Sequence, residues 1–254
     1  MSGPSNTAEL STVSRAFEII ETLKRENGAT LTEVAETLDM STSTAYNYLT
    51  TMTQLHYLVN DAGEYRLGMK FYELGTYTRR DLGILETIEP VLEAIAAETG
   101  EVAWFIIEEH GKAVYVAKAE GKHAVPTATS LGERVDVHCT AAGKALIAHY
   151  PDARVREIID CYGLPERTEN TITDRDDLFD ELERVRDRGI AFNDEESVTN
   201  LRAVAAPVFD RDEVVAAIAI PGPANRLSGE YFREQLPDVL LSATNELDLK
   251  FRYS

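Results

Sequence analysis

The sequence predicts an α+β protein in which a small, mostly helical N-terminal domain precedes a larger domain built on an antiparallel sheet. Three short amphipathic helix patterns follow one another within the first 55 residues. Beyond residue 100, apolar strand patterns occur in pairs around tight turns, which is typical of hairpins rather than of parallel crossover units. A chain of 254 residues is long enough for two such domains.

The composition argues against a membrane protein and against a disulfide-stabilised one. No apolar run reaches about 18 residues and the N-terminus has no apolar signal segment, so we expect a cytoplasmic protein with no membrane partner. The two cysteines, Cys139 and Cys161, are too few for a disulfide framework and lack the C-x-x-C spacing of zinc or redox sites. We therefore expect no metal and no cofactor.

The chain is strongly acidic, with a formal net charge of −19 at pH 7. Residues 1–80 hold 7 basic and 10 acidic side chains, a net charge of −3, which leaves −16 for residues 81–254. Because the acidic residues spread over nearly every predicted element, we interpret them as the surface of a protein from a halophile. A generic acidic surface is the alternative.

Three helices are predicted in the first domain. Val13, Phe17 and Ile20 repeat at helical spacing in the first, which ends at the stop signal Asn27-Gly28. Thr30-Leu31-Thr32-Glu33 then fits a capping box at the start of a second, short helix.

The third helix begins at Ser41, a good capping residue, and its residues Ala45, Leu49 and Met52 are expected to face inward. Only about three residues join the second and third helices, and such a tight joint is the signature of a helix-turn-helix motif.

A hairpin and a linker complete the first half. Tyr57–Val59 and Tyr65–Leu67 are short β-prone runs around the turn Asn60–Gly63, which predicts a wing. The helical pattern over residues 68–99 breaks near Leu82-Gly83, which predicts a linker helix and the first helix of the second domain. The expected boundaries are 1–68 for the winged helix-turn-helix domain, 69–83 for the linker helix and 84–254 for the second domain.

The second domain combines two hairpins with several helices. The predicted strands are Val102–Glu108, Ala113–Ala119, Ala203–Phe209 and Val214–Ile220. The predicted helices are Thr140–His149, Asp152–Cys161, Asp176–Arg188 and a long C-terminal helix from Ser228 onward.

The third helix has a polar face that suits DNA. Short hydroxyl and amide side chains share this face, namely Thr42, Ser43, Tyr46, Asn47 and Thr50. Hydroxyl groups bind phosphate oxygens, and an asparagine can pair with adenine in the major groove. We predict that double-stranded DNA is contacted by Arg15, Thr42, Ser43, Thr44, Tyr46, Asn47 and Arg66. A solvated polar face is the alternative.

This face lacks lysine and arginine, although phosphate neutralisation normally supplies most of the affinity for DNA. At about 1 M salt the Debye length falls to roughly 3 Å and counterion release contributes less, so an uncharged interface suits a halophile. Arg15 and Arg66 are the expected phosphate contacts.

Five segments resemble, in order, blocks of the IclR family of transcriptional regulators. They are Ser11–Ile20, Tyr65–Gly75, His138–Ala148, Arg188–Glu196 and Leu201–Asp210. The resemblance implies a DNA-binding regulator rather than an enzyme, with a GAF-like effector-binding domain and assembly into homodimers or tetramers. The third helix departs from the family, whose members typically carry basic or histidine side chains where this chain has Thr42, Tyr46 and Asn47.

The resemblance also implies an effector pocket. It points to Leu131, Gly132, Ala141, Ala142, Asn193, Leu201, Ala203, Ala219 and Pro221. In relatives that bind small acids several of these positions are polar, whereas Ala203, Ala219 and Pro221 are apolar here. The remaining polar or stacking candidates are Trp104, His138, Thr140 and Asn193. Packing in the core is the alternative role for each of these residues.

We expect the effector to be a sugar-derived or organic acid that modulates operator binding. Two alternatives remain open for the second domain: it senses a protein partner, which predicts a filled core between helices and sheet, or it is a small enzyme domain. No Ser/His/Asp set, carboxylate pair or metal set occurs at interpretable spacing, so no catalytic residue is expected.

Overall fold

The structure is a computed structural model that describes residues 10–125 and 129–253. The chain forms two compact units that divide between Leu82 and Gly83. Among the described residues, no helix is long and apolar enough to cross a membrane.

From residue 10 onward, where the structure describes it, the first unit consists of four helices and a small antiparallel sheet. Its elements are α1 (Ser11–Arg25), β1 (Ala29–Thr30), α2 (Leu31–Thr37), α3 (Thr42–Gln54), β2 (Leu58–Asp61), β3 (Glu64–Leu67) and α4 (Lys70–Asp81). The strand order is β1-β3-β2, so the predicted wing is the hairpin of β2 and β3. Strand β1 was not expected, because two residues are too few to produce an alternating pattern.

The predicted helix starts are confirmed by their hydrogen bonds. The Thr30 hydroxyl accepts from the Glu33 amide at 3.4 Å, and the Glu33 carboxylate accepts from the Thr30 amide at 2.7 Å, which completes the capping box. These bonds to Thr30 lower the pKa of Glu33. The Ser41 hydroxyl accepts from the Thr44 amide at 3.1 Å and so caps α3.

The core of the first unit confirms which residues of α3 face inward, but the prediction for α1 was partly wrong. Ala45, Leu49 and Met52 are buried. On α1, however, Val13 and Phe17 are 51% and 61% exposed. The buried side of α1 consists instead of Ile19, Thr22 and Leu23. Of the predicted set, Ile20 alone is half-buried and packs against this core, whereas Val13 and Phe17 face outward.

The second unit is a six-stranded antiparallel sheet with helices on both faces. Its elements are α5 (Leu85–Thr99), β4 (Val102–Glu109), β5 (Lys112–Glu120), β6 (Arg134–Asp136), α6 (Ala141–Ile147), α7 (Asp152–Tyr162), α8 (Arg175–Arg188), β7 (Ala191–Asp194), β8 (Leu201–Asp210), β9 (Glu213–Pro223) and α9 (Leu236–Tyr253). A π-helical turn, Tyr231–Gln235, leads into α9.

The strand order is β6-β5-β4-β9-β8-β7. The two predicted hairpins, β4 with β5 and β8 with β9, are confirmed and form the centre of the sheet. Short strands at its two edges, β6 and β7, have too few residues for a pattern that sequence reasoning would detect. Side chains of β4 alternate: Trp104 and Ile106 pack with α6, α7 and α8, whereas α5 and α9 contact the opposite face.

Helix α6 lies on a strip of alanines. Four buried alanine side chains of β8 and β9 belong to the same cluster as α6, namely Ala203, Ala205, Ala217 and Ala219. Single methyl groups allow the helix to approach the sheet more closely than larger side chains would. At the start of α6, Gly143 permits a second close approach, because a Cβ atom there would lie 2.3 Å from the Val137 carbonyl oxygen.

We expect Gly143→Ala to lower the free energy of unfolding by about 1–3 kcal/mol, because the added methyl group overlaps backbone atoms that cannot turn aside. The control is Gly75→Ala on α4, where the added methyl group meets nothing within 4 Å. That control should raise stability by about 0.5–1 kcal/mol. Chemical unfolding of both variants checks the prediction, and equal stabilities would contradict it.

Candidate functional site

The exposed face of α3 has the composition that the sequence predicts for DNA contact. Thr42, Ser43, Thr44, Tyr46 and Asn47 are all exposed, while Thr50 is half-buried. The hydroxyl of Thr44 lies 2.8 Å from that of Ser41, so it also takes part in the helix cap. The other four side chains present hydroxyl, phenol and amide groups outward from a helix anchored by its buried side.

Arg15 and Arg66, the two side chains predicted to contact phosphate, both form hydrogen bonds within the first unit. The Arg15 Nη1 atom donates to Glu18 at 2.8 Å and to the Leu38 carbonyl oxygen at 3.3 Å, which ties α1 to the end of α2. The Arg66 Nε atom donates to Glu64 at 3.0 Å. The face that suits DNA is therefore polar but nearly uncharged.

In the second unit, five of the implied effector residues come together between α6 and the sheet. Trp104, Ala141, Ala142, Ala203 and Ala219 are buried in one hydrophobic cluster. Strand pairing brings these residues together, because Trp104 of β4 pairs with Ala219 of β9. Ala203 of β8 pairs with Pro221 of β9, a half-buried residue that the resemblance also implies. Residues more than 100 positions apart thus share one surface.

Other implied residues lie at the margin of this surface. Leu131 and Gly132 are exposed in the segment before β6, where the Gly132 amide donates to the Tyr115 carbonyl oxygen at 2.7 Å. Leu201 is half-buried at the start of β8 and pairs with Pro223.

The polar candidates near α6 are engaged in hydrogen bonds within the chain. The amide oxygen of Asn193 accepts from the Glu196 amide at 2.8 Å, and its amide nitrogen donates to the Ser197 hydroxyl at 2.7 Å. Thr140 caps α6 by accepting from the Gly143 amide at 3.2 Å. Each of these side chains therefore has a structural role in holding a turn or a helix start.

His138 occupies a comparable position just before α6. Its Nε2 atom lies 3.2 Å from the Pro165 carbonyl oxygen. Burial lowers the pKa of His138, which favours the neutral ring in spite of this hydrogen bond.

Trp104 is the only tryptophan in the sequence and forms an aromatic surface in this region. The Tyr115 ring packs against it edge-on, with ring centroids 4.9 Å apart and an interplanar angle of 74°. The Lys118 ammonium group lies 5.3 Å from the centre of the indole ring. Burial raises the pKa of Tyr115 to about 12, so its hydroxyl stays protonated near neutral pH.

Two ion pairs beside α6, each with at least one buried side chain, were not expected from the sequence. The Asp136 carboxylate accepts from Lys112 at 2.6 Å and from the Arg167 Nε atom at 3.0 Å. On α6 itself, Lys144 is 1% exposed and donates to both carboxylate oxygens of Glu196, at 2.6 and 2.7 Å. A lysine within the apolar run of α6 was the signal that could have revealed the second pair.

Residues 165–171 form a segment, here called the strap, that contacts both Asp136 and the turn containing Glu196. Arg167 binds Asp136 on one side. On the other side, the Thr168 hydroxyl donates to the Glu195 carbonyl oxygen and the Thr171 hydroxyl to that of Glu196, both at 2.7 Å. The strap therefore links the start of α6 to the turn that follows β7.

Asp136, His138 and Cys139 place possible metal ligands within 4.8 Å of one another. Their chemistry does not favour a metal centre, because the Asp136 carboxylate is already held by two cations. Burial also raises the pKa of Cys139 to about 11, which keeps its sulfur in the thiol form.

Comparison with known proteins matches both units to one family. Residues 77–248 match the family model for the C-terminal domain of the bacterial transcriptional regulator IclR, and residues 12–62 match the IclR helix-turn-helix domain. A Halobacterium salinarum chain, named the probable HTH-type transcriptional regulator ArcR, is 29% identical over 246 residues, 95% of this chain and 94% of that one.

Solved structures agree with the family models. The IclR of Thermotoga maritima is 32% identical and aligns with a TM-score of 0.78 over 96% of this chain and 99% of that one. An IclR homologue of Microbacterium hydrocarbonoxydans, crystallised with 4-hydroxybenzoate, is 22% identical and shares the fold with a TM-score of 0.80 over 95% of this chain and 99% of that one.

We expect Lys144→Met to lower the free energy of unfolding by about 3–5 kcal/mol, because Glu196 is left as a buried, unpaired charge. The double variant Lys144→Met/Glu196→Leu should regain most of this loss, since it removes both charges. Chemical unfolding of the two variants measures the difference. A double variant as unstable as the single one would show that the pair is not the origin of the effect.

Proposed function

Because this chain belongs to the IclR family of transcriptional regulators, we propose that α3 reads its operator and that an effector bound beneath α6 alters that reading. Its first unit is a helix-turn-helix DNA-binding domain and its second an effector-binding domain. Members of the family are regulators, not enzymes.

The proposed DNA contact rests on one observation, the exposed and uncharged face of α3. Asn47 and Tyr46 stand near its middle and are the side chains with the longest reach. An asparagine amide can donate to and accept from one adenine edge, which distinguishes that base from the others. Thr42, Ser43 and Thr44 at the start of α3 suit phosphate oxygens, as do Arg15 and Arg66.

A homodimer is proposed from exposed apolar side chains of the first unit. Leu10, Val13 and Phe17 of the α1 region and Tyr72 and Tyr77 of α4 are each more than half exposed. Monomers rarely leave so many large apolar side chains in water, and a second copy of the chain would cover them. Such a dimer reads two half-sites about 10 base pairs apart. Pairing of dimers into tetramers is the further possibility expected from the sequence.

For the effector, we favour an organic acid with a compact apolar or aromatic body over a sugar-derived acid. The surface beneath α6 offers alanine methyl groups, Pro221 and the Trp104 ring, whereas Asn193 and Thr140 already have partners. Each hydroxyl group of a buried sugar left without a partner would cost about 1–3 kcal/mol. An aromatic ring meets no such cost and can pack on Trp104.

A protein-partner sensor is the second candidate function. Tight burial of Trp104, Ala203 and Ala219 favours it, because a filled core is what a domain without a small ligand would show. In either case, the ligand or partner must bind one arrangement of the regulator better than another, since equal binding shifts no equilibrium.

We also propose a cytoplasmic location, because a regulator of operator DNA works there. The net charge of −19 and the similarity to the Halobacterium salinarum chain support a halophilic archaeal source.

We expect Asn47→Ala to weaken operator binding by about 5- to 150-fold, the equivalent of the roughly 1–3 kcal/mol of one good base contact. The operator is first selected from random duplex DNA with the wild-type chain in molar KCl, and affinities are measured by gel shift. Asn245→Ala, which removes an exposed amide from α9, is the matched control and should change nothing. Footprinting of the selected DNA tests for two half-sites, and unchanged binding by Asn47→Ala would exclude this contact.

We expect the fluorescence of Trp104 to change when the effector binds, because the effector is proposed to pack on its ring. The chain has no other tryptophan, so the signal reports on this residue alone. A panel of benzoic, keto and sugar acids is titrated, and calorimetry on Trp104→Phe checks that binding survives without the signal. Ala219→Leu places a larger side chain in the contact between α6 and the strip and should weaken binding, and chemical unfolding of the same variant separates lost binding from lost packing. If no acid changes either the fluorescence or the operator affinity, the protein-partner sensor becomes the better proposal.

A further inference from the structure

The basic side chains of the first unit are accompanied by their own counter-charges. Residues 10–82 contain seven lysines and arginines, and five of them lie within 4.0 Å of a glutamate one to three positions away. The pairs are Arg15 with Glu18, Lys24 with Glu21, Arg25 with Glu26, Arg66 with Glu64 and Lys70 with Glu73. This pattern couples each of these cations to an anion that stays beside it wherever the unit binds.

Arg66 of the wing shows the pairing most clearly. Its Nε and Nη2 atoms both lie 3.0 Å from one carboxylate oxygen of Glu64. Both side chains pack beside Gly28, where a Cβ atom would come within 2.5 Å of that same Glu64 oxygen and 3.0 Å of the Arg66 Cγ atom. The missing side chain of Gly28 therefore makes room for the ion pair.

Arg15 is engaged in a different way. The Nη1 atom of its guanidinium group donates to Glu18 and to the Leu38 carbonyl oxygen, so part of its donor capacity joins α1 to α2.

The wing carries a further negative charge. Asp61 on β2 pairs with Glu64 on β3 in the strand ladder.

The electrostatic consequence is set by the distances. A DNA phosphate that approaches Arg66 also approaches Glu64, whose charge is only about one hydrogen-bond length farther away, so attraction and repulsion largely cancel. Exposed ion pairs change geometry easily and add little stability. Their cancellation persists nonetheless, because the two charges are on residues two positions apart.

We propose that Glu64 masks Arg66, and that operator binding by this protein consequently depends only weakly on salt. This inference rests on the proposed binding of DNA through α3. The surface of this protein that would meet DNA is then an uncharged helix face flanked by cations that are paired with glutamates. Such a surface suits duplex DNA in concentrated salt. The glutamates beside the cations set how the affinity responds to salt, and the polar face of α3 sets which sequence is bound.

The expected size of the effect is measurable. For B-DNA the logarithm of the affinity falls with the logarithm of salt concentration with a slope of about −0.9 for each phosphate neutralised. A DNA-binding domain with 6–10 such contacts has a slope of about −5 to −9. For this protein we expect a slope no steeper than about −2 for each winged helix, that is, roughly two phosphates neutralised.

The test is an operator titration over a tenfold range of KCl concentration in which circular dichroism shows the full chain folded. Glu64→Gln unmasks Arg66 and should steepen the slope by about 0.9 for each winged helix bound, so that the affinity relative to wild type rises about eight-fold per winged helix from the highest to the lowest salt. Glu157→Gln is the matched control: it removes the same charge beside Arg154 of α7 in the second unit and should leave the slope unchanged.

A second variant tests the mask independently of Glu64→Gln. Arg66→Gln/Glu64→Gln removes both charges and should return the steep slope of Glu64→Gln to the wild-type value, whereas Arg66→Gln alone leaves Glu64 unpaired and should weaken binding without steepening the slope. A wild-type slope steeper than about −4, or no change in Glu64→Gln, overturns the inference while DNA binding itself still stands. Absence of wild-type binding at every salt concentration instead overturns the proposed contact of α3 with DNA.

Discussion

The packing of α6 on the alanine strip of β8 and β9 is the contact on which the second unit depends. Four methyl groups form this floor, and the helix above it contributes small residues of its own, Ala141, Ala142 and Ala145. Close packing of this kind leaves no room for larger side chains at the contact. The proposed effector would meet methyl groups and the Trp104 ring there, which is the reason for proposing an apolar or aromatic body.

Charged groups hold α6 in place in addition to its apolar packing. Asp136 with its two cations precedes the helix, and Lys144 within it binds Glu196 across the turn after β7. Buried ion pairs add little net stability, because desolvation offsets their attraction, but removing one partner is costly. With the strap of residues 165–171 joining them, a shift at one wall of the effector region would be resisted at the other.

The first unit separates its two surfaces by chemistry. Exposed apolar side chains on α1 form the surface that we propose for a second copy of the chain, and the polar face of α3 is the surface that we propose for DNA. Neither surface depends on net positive charge. An acidic chain can in this way keep a strongly solvated exterior and still present a face that fits a polyanion.

Local signals predicted the boundaries of most elements. The capping box at Thr30, the cap at Ser41 and the hairpin turns depend on residues only a few positions apart, and all were confirmed. The exposed face of α3 was also predictable, since a helical period assigns a side to every residue. The missed elements, β1, β6 and β7, are strands too short to show a period.

The sequence by itself determined the two-part architecture, the helix starts, the hairpins and the composition of the polar face on α3. Only the tertiary structure decided which apolar residues of α1 are buried, that Trp104 pairs with Ala219, and that the buried side chains of Asp136 and Lys144 each have an oppositely charged partner. The physical reason is distance along the chain. Caps and turns join residues a few positions apart, whereas strand pairing, core packing and charge compensation join residues whose proximity exists only after the chain has folded.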